Sequence, residues 1–416
     1  MSNTDYDIII IGGGASGMMA ASSVRKNKKV LLIEKNNILG KKLLITGGGR
    51  CNLTNEEYDL RKLLKNYKKA EQFLYSAFTQ YGVKDSLIFF NTRNMPTKVE
   101  NEGRVFPVSD SARSVYNVLV KEIKNKDIEV LSDTKVLNIL HDTKQVTGVE
   151  VEVNKKKIIL TSKKYILATG GTSHPETGST GDAYDWLKHM GHTIHTPKPS
   201  LVPVKSNDAW LKKLQGIVLQ NVKIHIFADG EKKNSKKGKI LFTHFGISGP
   251  TVLNMSKEIS DYLNLKQKVY LSVDLLSEYD HGTLNKTLTD LFQNNSKKKI
   301  SNILGNVINK NLISIILQNT KIDEGITGNA VTKEMRMMLI ENIKNLKINI
   351  HGLLDESEAV IADGGVDIKE IDLKTMKSKI IDNLCVIGDL LNIDRPSGGY
   401  SLQLCWTTGY IAGNTQ

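Results

Sequence analysis

Residues 8–17 read Ile8-Ile9-Ile10-Ile11-Gly12-Gly13-Gly14-Ala15-Ser16-Gly17, and no other stretch of this chain limits its fold so tightly. Four β-branched residues in a row form a strand buried on both faces of a parallel sheet. Gly12, Gly14 and Gly17 then follow at the G-x-G-x-x-G spacing. The first permits a tight turn, the second lets backbone approach a pyrophosphate, and the third lets the next helix pack on the strand. Free N–H groups and the dipole at that helix start attract an anion, so Gly12, Gly14, Ala15, Ser16 and Gly17 are candidate binding residues. Val30-Leu31-Leu32-Ile33 is the second strand. Glu34 ends it, 22 residues after Gly12, where a carboxylate accepts hydrogen bonds from ribose hydroxyls. Strand, glycines, helix, strand and acid in register define a dinucleotide-binding unit rather than a chance glycine turn.

Two later segments narrow the dinucleotide. Tyr165-Ile166-Leu167-Ala168-Thr169-Gly170-Gly171 is an apolar strand ending in Ala-Thr-Gly, and Leu384-Cys385-Val386-Ile387-Gly388-Asp389 is an apolar strand ending in Gly-Asp. In this order the three segments resemble the signature of glutathione-reductase-type flavoproteins. The cofactor that resemblance implies is FAD, with Asp389 at the position whose aspartate hydrogen-bonds the ribityl chain. No second G-x-G-x-x-G follows a strand, so NAD(P)H, as NADPH or NADH, is expected as a transient reductant over the flavin. The candidate cofactor-binding set from these segments is Ala168, Thr169, Gly170, Gly388 and Asp389. Lys35, directly after Glu34, and Val136, at the end of the strand pattern 130–136, join it.

The chain has 416 residues, long enough for two or three domains. Its 40% hydrophobic and 24% charged residues are those of an ordinary soluble protein. The first strand begins at once, which leaves no signal peptide, and no apolar run approaches the ~20 residues of a membrane helix. Three scattered cysteines, Cys51, Cys385 and Cys405, make neither a disulfide frame nor a zinc cluster. A cytoplasmic protein without a metal is expected. The net charge of +13 is less ordinary. It attracts polyanions such as RNA, although lysines spread over any surface give the same number. Residues 205–239 carry nine Lys against three acids and residues 284–347 ten Lys and Arg against five, which points to the middle of the chain as the place where a substrate is held.

The pattern along the chain predicts an α/β protein: a glutathione-reductase-type Rossmann FAD domain interrupted by a β-barrel-like domain and a helical domain. The expected boundaries are 1–192 for the first part of the FAD-binding domain and 193–275 for a β-barrel-like substrate domain. A helical, lysine-rich domain follows at 276–345, a strand returning to the β domain at 346–352, and the second part of the FAD-binding domain at 353–416. Val218 to Phe227 and Lys239 to Phe242 read as strands, with the lysines between them as a basic turn.

Further segments make the resemblance closer. They are Gly40-Lys41-Lys42-Leu43-Leu44-Ile45-Thr46-Gly47-Gly48-Gly49-Arg50-Cys51-Asn52, Gly103-Arg104-Val105-Phe106-Pro107, Leu241 to Pro250 around His244, Ala362-Asp363-Gly364-Gly365-Val366, Thr375 to Lys379, and Pro396-Ser397-Gly398-Gly399-Tyr400-Ser401-Leu402-Gln403. From Asp7 to Gly413 the chain resembles the BaiN-like family of bacterial flavoproteins, NAD(P)/FAD-dependent oxidoreductases. Its pattern usually has Glu where Asp389 stands and Asn where Ser401 stands. Gly170-Gly171 with Gly181-Asp182 also resembles fumarate-reductase flavoproteins, from which Ala183 departs.

The motifs carry their own chemistry. The Gly47–Gly49 run frees backbone N–H groups for flavin or phosphate oxygens. Lys41, Lys42 and Arg50 add charge nearby, Arg50 with a fork suited to phosphate or an oxyanion, although Lys41 and Lys42 also read as a solvated surface pair. Gly398-Gly399 before Tyr400, Ser401 and Leu402 brings a helix start close to the flavin ring. Gly48, Arg50, Cys51 and Asn52 therefore join the cofactor set with Lys42, Gly398, Gly399, Tyr400, Ser401 and Leu402.

The resemblance implies reduction of an activated C=C bond. Family members are linked to steroid enone reduction in bile-acid metabolism and to reduction of a uridine in 23S ribosomal RNA to dihydrouridine. Both add hydride to a carbon conjugated to a carbonyl and then a proton to its neighbour. The leading expectation is the RNA reaction, with ribosomal RNA as partner. A small-molecule ene-reductase, an amine oxidase and a non-catalytic flavin-bound redox protein are the alternatives. Cys51, in the glycine–arginine loop, is the candidate proton donor, and also a candidate for simple packing. His244 and Tyr400 are its rivals.

Overall fold

The computed structural model describes residues 4–153, 155–355 and 358–415. The chain opens with β1 (Tyr6–Ile11), α1 (Ala15–Ser23), β2 (Val30–Ile33) and α2 (Lys41–Ile45). Next come β3 (Glu129–Leu131), β4 (Ser162–Leu167), α3 (Asp182–His189) and β5 (Ile194–Ser200), with smaller elements between. Strands β6 (Val218–Ala228), β7 (Glu231–Phe242) and β8 (Val269–Asp274) follow, then helices α4 (His281–Asn294), α5 (Lys310–Thr320) and α6 (Lys333–Lys344), then β9 (Leu346–Ile350). The chain returns through β10 (Ile361–Val366) and β11 (Leu384–Val386) and ends on α7 (Tyr400–Asn414).

Residues up to Ser200, together with those from Ala359, form one compact unit, and Leu201–Glu358 form another. In the first, β11, β4, β1, β2 and β3 lie side by side, all parallel. Ile10 pairs with Ile166 on one side and Leu32 on the other. Ile9 and Ile10 are fully buried, as a strand covered on both faces requires. The last helix lies against α1 because Gly409 and Gly413 leave no side chain between them. A Cβ there would meet Ser16 O at 2.4 Å and Ala20 O at 2.3 Å.

The second unit has an antiparallel sheet in the order β9–β8–β6–β7, continued by Gly246–Ser248, Val204–Lys205 and Gly352–Leu353. Its helices present apolar residues at helical spacing, such as Leu284, Leu288 and Phe292 on α4. Asp280 accepts from Thr283 N and Thr332 from Met335 N, which starts α4 and α6. Sheet and helices share one hydrophobic core, so residues 201–358 are one body rather than the separate β and helical domains expected at 193–275 and 276–345.

Three further expectations change. The first part of the FAD domain closes at Ser200, not at residue 192, because β5 pairs with β10 across the interruption. The lysine-rich stretch after Glu231 is a strand, not a turn: pairing along β6 overrides its poor strand propensity. The basic excess is not confined to the middle of the chain. Residues 201–358 carry 22 Lys and Arg against 16 acids, net +6, and the remainder 35 against 28, net +7. The basic windows are offset by the acids between and beyond them.

Candidate functional site

At the carboxyl ends of β1, β2 and β4 lies a cavity of about 1160 Å³, part of it open to solvent. The glycine turn forms its floor. Gly12 N donates to Ile33 O and Ala168 N to Ile11 O, which ties the three strand ends together. A Cβ on Gly12 would meet Ala168 O at 2.5 Å, and one on Gly17 would meet Gly12 O at 1.9 Å. A Cβ on Gly14 would meet nothing within 4 Å among the described residues: Gly14 faces the cavity, Gly12 lines it from its tight turn, and Gly17 serves packing. No side chain caps α1, so its first N–H groups are left to a ligand.

Glu34 is fixed before any ligand arrives. Its Oε2 accepts from Gly13 N at 2.8 Å, and its Oε1 accepts from Asn36 N at 2.9 Å and Asn36 Nδ2 at 2.7 Å. A carboxylate has about four acceptor sites, so room for a ribose hydroxyl is left.

The opposite wall is the loop from Gly170 to Asp182, which four side chains stitch down. Lys35 Nζ donates to Thr180 Oγ1 at 2.6 Å and pairs with Asp182 at 2.8 Å. Asn36 Nδ2 donates to Thr177 O, Lys41 Nζ to Glu176 O, and Lys42 Nζ to Ser173 O. Lys41 and Lys42 are thus not a free surface pair. Lys42 also lies 3.9 Å from Asp389 Oδ2, and burial lowers its pKa despite that carboxylate.

The far end is built on Asp389. Its carboxylate pairs with Arg395, whose side chain is 1% exposed. Arg395 also donates from Nε to Ser401 Oγ at 2.9 Å and from NH1 to Ile393 O at 2.6 Å. One buried guanidinium therefore sets two residues of the cavity wall, and the serine that departs from the family pattern is held by it. Cys405 sits on the same helix face, four residues after Ser401, and lines the cavity. Burial pushes its thiol up to about 12, the Asp389 charge adding to the effect.

Of the expected cofactor residues, Gly12, Gly14, Ala15, Ser16, Glu34, Lys35, Lys42, Val136, Ala168, Thr169, Gly170, Asp389, Ser401 and Leu402 line this cavity. Gly17, Gly48, Arg50, Cys51, Asn52, Gly388, Gly398, Gly399 and Tyr400 do not. Gly388 and Gly399 serve close packing: a Cβ would meet Ser16 Oγ at 2.5 Å and Thr54 C and O at 2.3 Å. Arg50 is taken up by Glu100 and Asp110, each at 2.5 Å, and lies over the Phe106 ring at 4.2 Å. Two carboxylates fill the anion site expected there, and they push its pKa up.

Cys51 is fully buried, and burial pushes its thiol up to about 12. That environment suits packing and not a proton donor. Tyr400 begins α7, half-buried, with its carbonyl accepting from Tyr67 Oη at 2.9 Å. His244 is exposed at the tip of a turn closed by Thr243 N donating to Gly246 O, in the second unit. Cys51 and Tyr400 belong to the first unit and His244 to the second. Sequence reading missed Asn36, Thr46, Thr134, Thr177, Ser179, Trp186 and Cys405 in the lining. For Cys405 the i, i+4 spacing from Ser401 was the available signal.

Thr169 Oγ1 is buried at this cavity with no hydrogen-bond partner among the described residues. A buried hydroxyl without a partner is costly and implies one to come. With the open position at Gly14, the uncapped helix and the braced acid, the residues present fit FAD. Among the described residues no group of His, Cys, Asp and Glu could hold a metal ion, and no helix is long and apolar enough to cross a membrane.

Parallel strand ends meeting at a glycine turn, with a carboxylate one strand away, are how Rossmann-type FAD-binding flavoenzymes hold their cofactor, and this fold defines that class. A solved 3-ketosteroid Δ1-dehydrogenase from Sterolibacterium denitrificans shares it, at TM-score 0.55 and 13% identity, with 98% of each chain covered. Within the class the chain belongs to the family described as HI0933-like protein Rossmann domain, which matches residues 6–415. Two curated relatives are similar along most of its length. A 3-dehydro-bile acid delta(4,6)-reductase of Clostridium scindens is 28% identical over 368 residues, 88% of each chain. A ribosomal RNA dihydrouridine synthase of Escherichia coli is 27% identical over 366 residues, 88% of this chain and 86% of that one. The family resemblance drawn from the motifs holds.

Proposed function

We propose that this oxidoreductase uses NAD(P)H to reduce uridine in ribosomal RNA to dihydrouridine. The observation that carries the reading is the match along 88% of the chain to a ribosomal RNA dihydrouridine synthase, in a protein of formal net charge +13. A polyanion gains from that charge and a sterol does not.

Bound FAD would supply the hydride chemistry. The chain's own residues do the rest. The start of α1, with Gly12 and Gly14, would hold the pyrophosphate, and Glu34 the adenosine ribose. Asp389, oriented by its ion pair with Arg395, would accept from the ribityl chain. Lys42 is the cation available to negative charge developing near the flavin. Uracil C5=C6 is conjugated to the C4 carbonyl, so its reduction needs a proton at C5 from a donor other than the reductant. Tyr400 and His244 are the candidates, since the burial of Cys51 removes it from that role.

The test is the dihydrouridine content of 23S rRNA from cells lacking the protein. A loss restored by the wild-type chain, and not by Gly14→Val, is expected. Unchanged content overturns the reading. In that case the match to the bile acid reductase favours reduction of a steroid-like enone, checked by reoxidation of the reduced enzyme with a 3-oxo-4-ene steroid.

A further inference from the structure

The outer face of the sheet in the second unit combines aromatic rings with lysines that lack carboxylate partners. Phe227 on β6 stands directly opposite Tyr270 on β8. Their rings are stacked, with centroids 4.8 Å apart and planes 6° apart. Lys347 on β9 lies over the other side of Tyr270, 4.3 Å from its centroid. On β7, Lys232 is directly opposite Phe227 and Lys237 directly opposite Lys223. Alternation places His225 between Lys223 and Phe227 on the same face. Its Nδ1 is buried without a hydrogen-bond partner among the described residues.

The nearby carboxylates are already engaged. Asp274 pairs with Lys344 at 2.7 Å, Glu231 with Lys233 at 2.6 Å, and Glu278 with Lys237, while Asp208 accepts from Asn349. Lys223, Lys232 and Lys347 are exposed and have no ion pair among the described residues. Lys223 has Lys237 opposite it on β7, where Glu278 meets the Lys237 charge, and Asp274 opposite it on β8, where the carboxylate is already paired with Lys344. Strand alternation also divides the lysines of β7: Lys232 and Lys237 face the aromatic pair, while Lys236, opposite the buried Ile224, donates to Asn254 O.

In register across the sheet stand Asn349, Tyr270, Phe227 and Lys232, and Lys347, opposite Ser272, reaches the Tyr270 ring diagonally. Tyr270 is covered on both sides. The side of Phe227 toward Lys232 carries no second ring or cation among the described residues, so the stack has one open end. A nucleobase fits such a slot, and lysines on either side fit the phosphates that flank it. A duplex keeps its bases stacked inward, so the ligand must be single-stranded. We infer that this face, built from Phe227, Tyr270, Lys223, Lys232 and Lys347, is the docking surface for a single-stranded stretch of the RNA substrate. The inference rests on the proposed RNA reaction.

The test compares holoenzyme variants matched to wild type in FAD content and melting temperature. The probe is a labelled single-stranded oligouridine of about 12 nucleotides. Lys223→Gln/Lys232→Gln/Lys347→Gln should weaken binding at least about tenfold at low salt and lower the salt slope by roughly 2. Phe227→Leu, which keeps the packing but loses the aromatic face, should weaken it by about fivefold. A charge-matched control, Lys297→Gln/Lys298→Gln/Lys299→Gln, should stay within about twofold. Equal loss in the control, equal affinity for a duplex, or no loss in the face variant overturns the inference. If wild type reduces uridine in a 23S rRNA transcript while the face variant does so with unchanged KM, the surface is wrong and the reaction stands. If wild type neither binds nor reduces RNA, the reaction fails and the surface with it.

Discussion

The two units hold their candidate ligands by different means. In the first, the cradle is mostly backbone: a glycine turn, an uncapped helix and strand ends, with Glu34 and Asp389 fixed by groups that have nowhere else to go. In the second, the face is made of side chains standing on a regular sheet, each replaceable without moving the backbone. A backbone cradle should fail all at once, and a side-chain face by degrees.

The sharpest way to break that contrast is at the glycines. Gly17→Ala should prevent folding of the first unit, since its Cβ would sit 1.9 Å from Gly12 O. Gly14→Val should fold and yet bind FAD at least roughly 100-fold more weakly, giving colourless protein with a near-normal far-ultraviolet spectrum. A fully loaded Gly14→Val protein would remove the glycine turn from the site. Next in size is Arg395→Met, which leaves the Asp389 carboxylate without its partner. Thermal unfolding should show a loss of about 3 kcal/mol, and Asp389→Asn in the same protein should restore part of it.

The lysine stitches are the side-chain element of the first unit, so they should behave as the second unit does. Lys35→Met/Lys41→Met should speed FAD release by about three- to tenfold, an effect that fades at high salt because these lysines are partly exposed. Stopped dilution of the holoenzyme measures it, and an all-or-none loss would erase the distinction.

Burial sets a smaller, pH-dependent effect. His192 is buried with Nε2 2.8 Å from Ser378 Oγ, and desolvation lowers its pKa below the ordinary 6.5. The unfolded chain takes up this proton near pH 6.5 and the folded chain only at lower pH. Stability is therefore fully present above about 6.5 and lost as pH falls toward the folded value, by at most about 1.4 kcal/mol per pH unit. Melting temperatures of His192→Gln across that range should show a shallower slope; His225 in the second unit, shifted in the same direction by burial, keeps its own share. The smallest effect is expected from Cys51→Ala: both flavin half-reactions within about twofold of wild type by rapid mixing, against the 10²–10⁴-fold slowing that loss of a true acid gives.

How legible each region was follows from the same contrast. Gly12, Gly14 and Glu34 stand out in the sequence because backbone cradles demand particular residues at fixed spacing, whereas Asp389 is marked only by the resemblance; all four line the cavity. Arg50 and Cys51 misled because proximity in sequence to a glycine run says nothing about direction: one turned to Glu100 and Asp110, the other into the core. The loop stitched by Lys35, Asn36, Lys41 and Lys42 is joined through contacts more than a hundred residues apart, and nothing local marks it. The aromatic row in the second unit was hidden for a different reason. Lys232 belongs with Phe227 and Lys236 does not, and only strand register, including the bulge between Ile226 and Phe227, separates them.

The antiparallel pair β5 and β10 has one more consequence. Ser200 stands opposite Ile361, so the chain leaves the cofactor-binding unit and re-enters it at neighbouring positions, like the two legs of a hairpin. For such a stem, the entropy of closing whatever lies beyond grows only with the logarithm of its length. Everything past that stem can be lengthened, shortened or exchanged with little effect on how the glycine turn is assembled. Exchanging residues 201–358 for the corresponding segment of another family member should therefore leave the cofactor-binding unit folded, which FAD content of the chimaera measures.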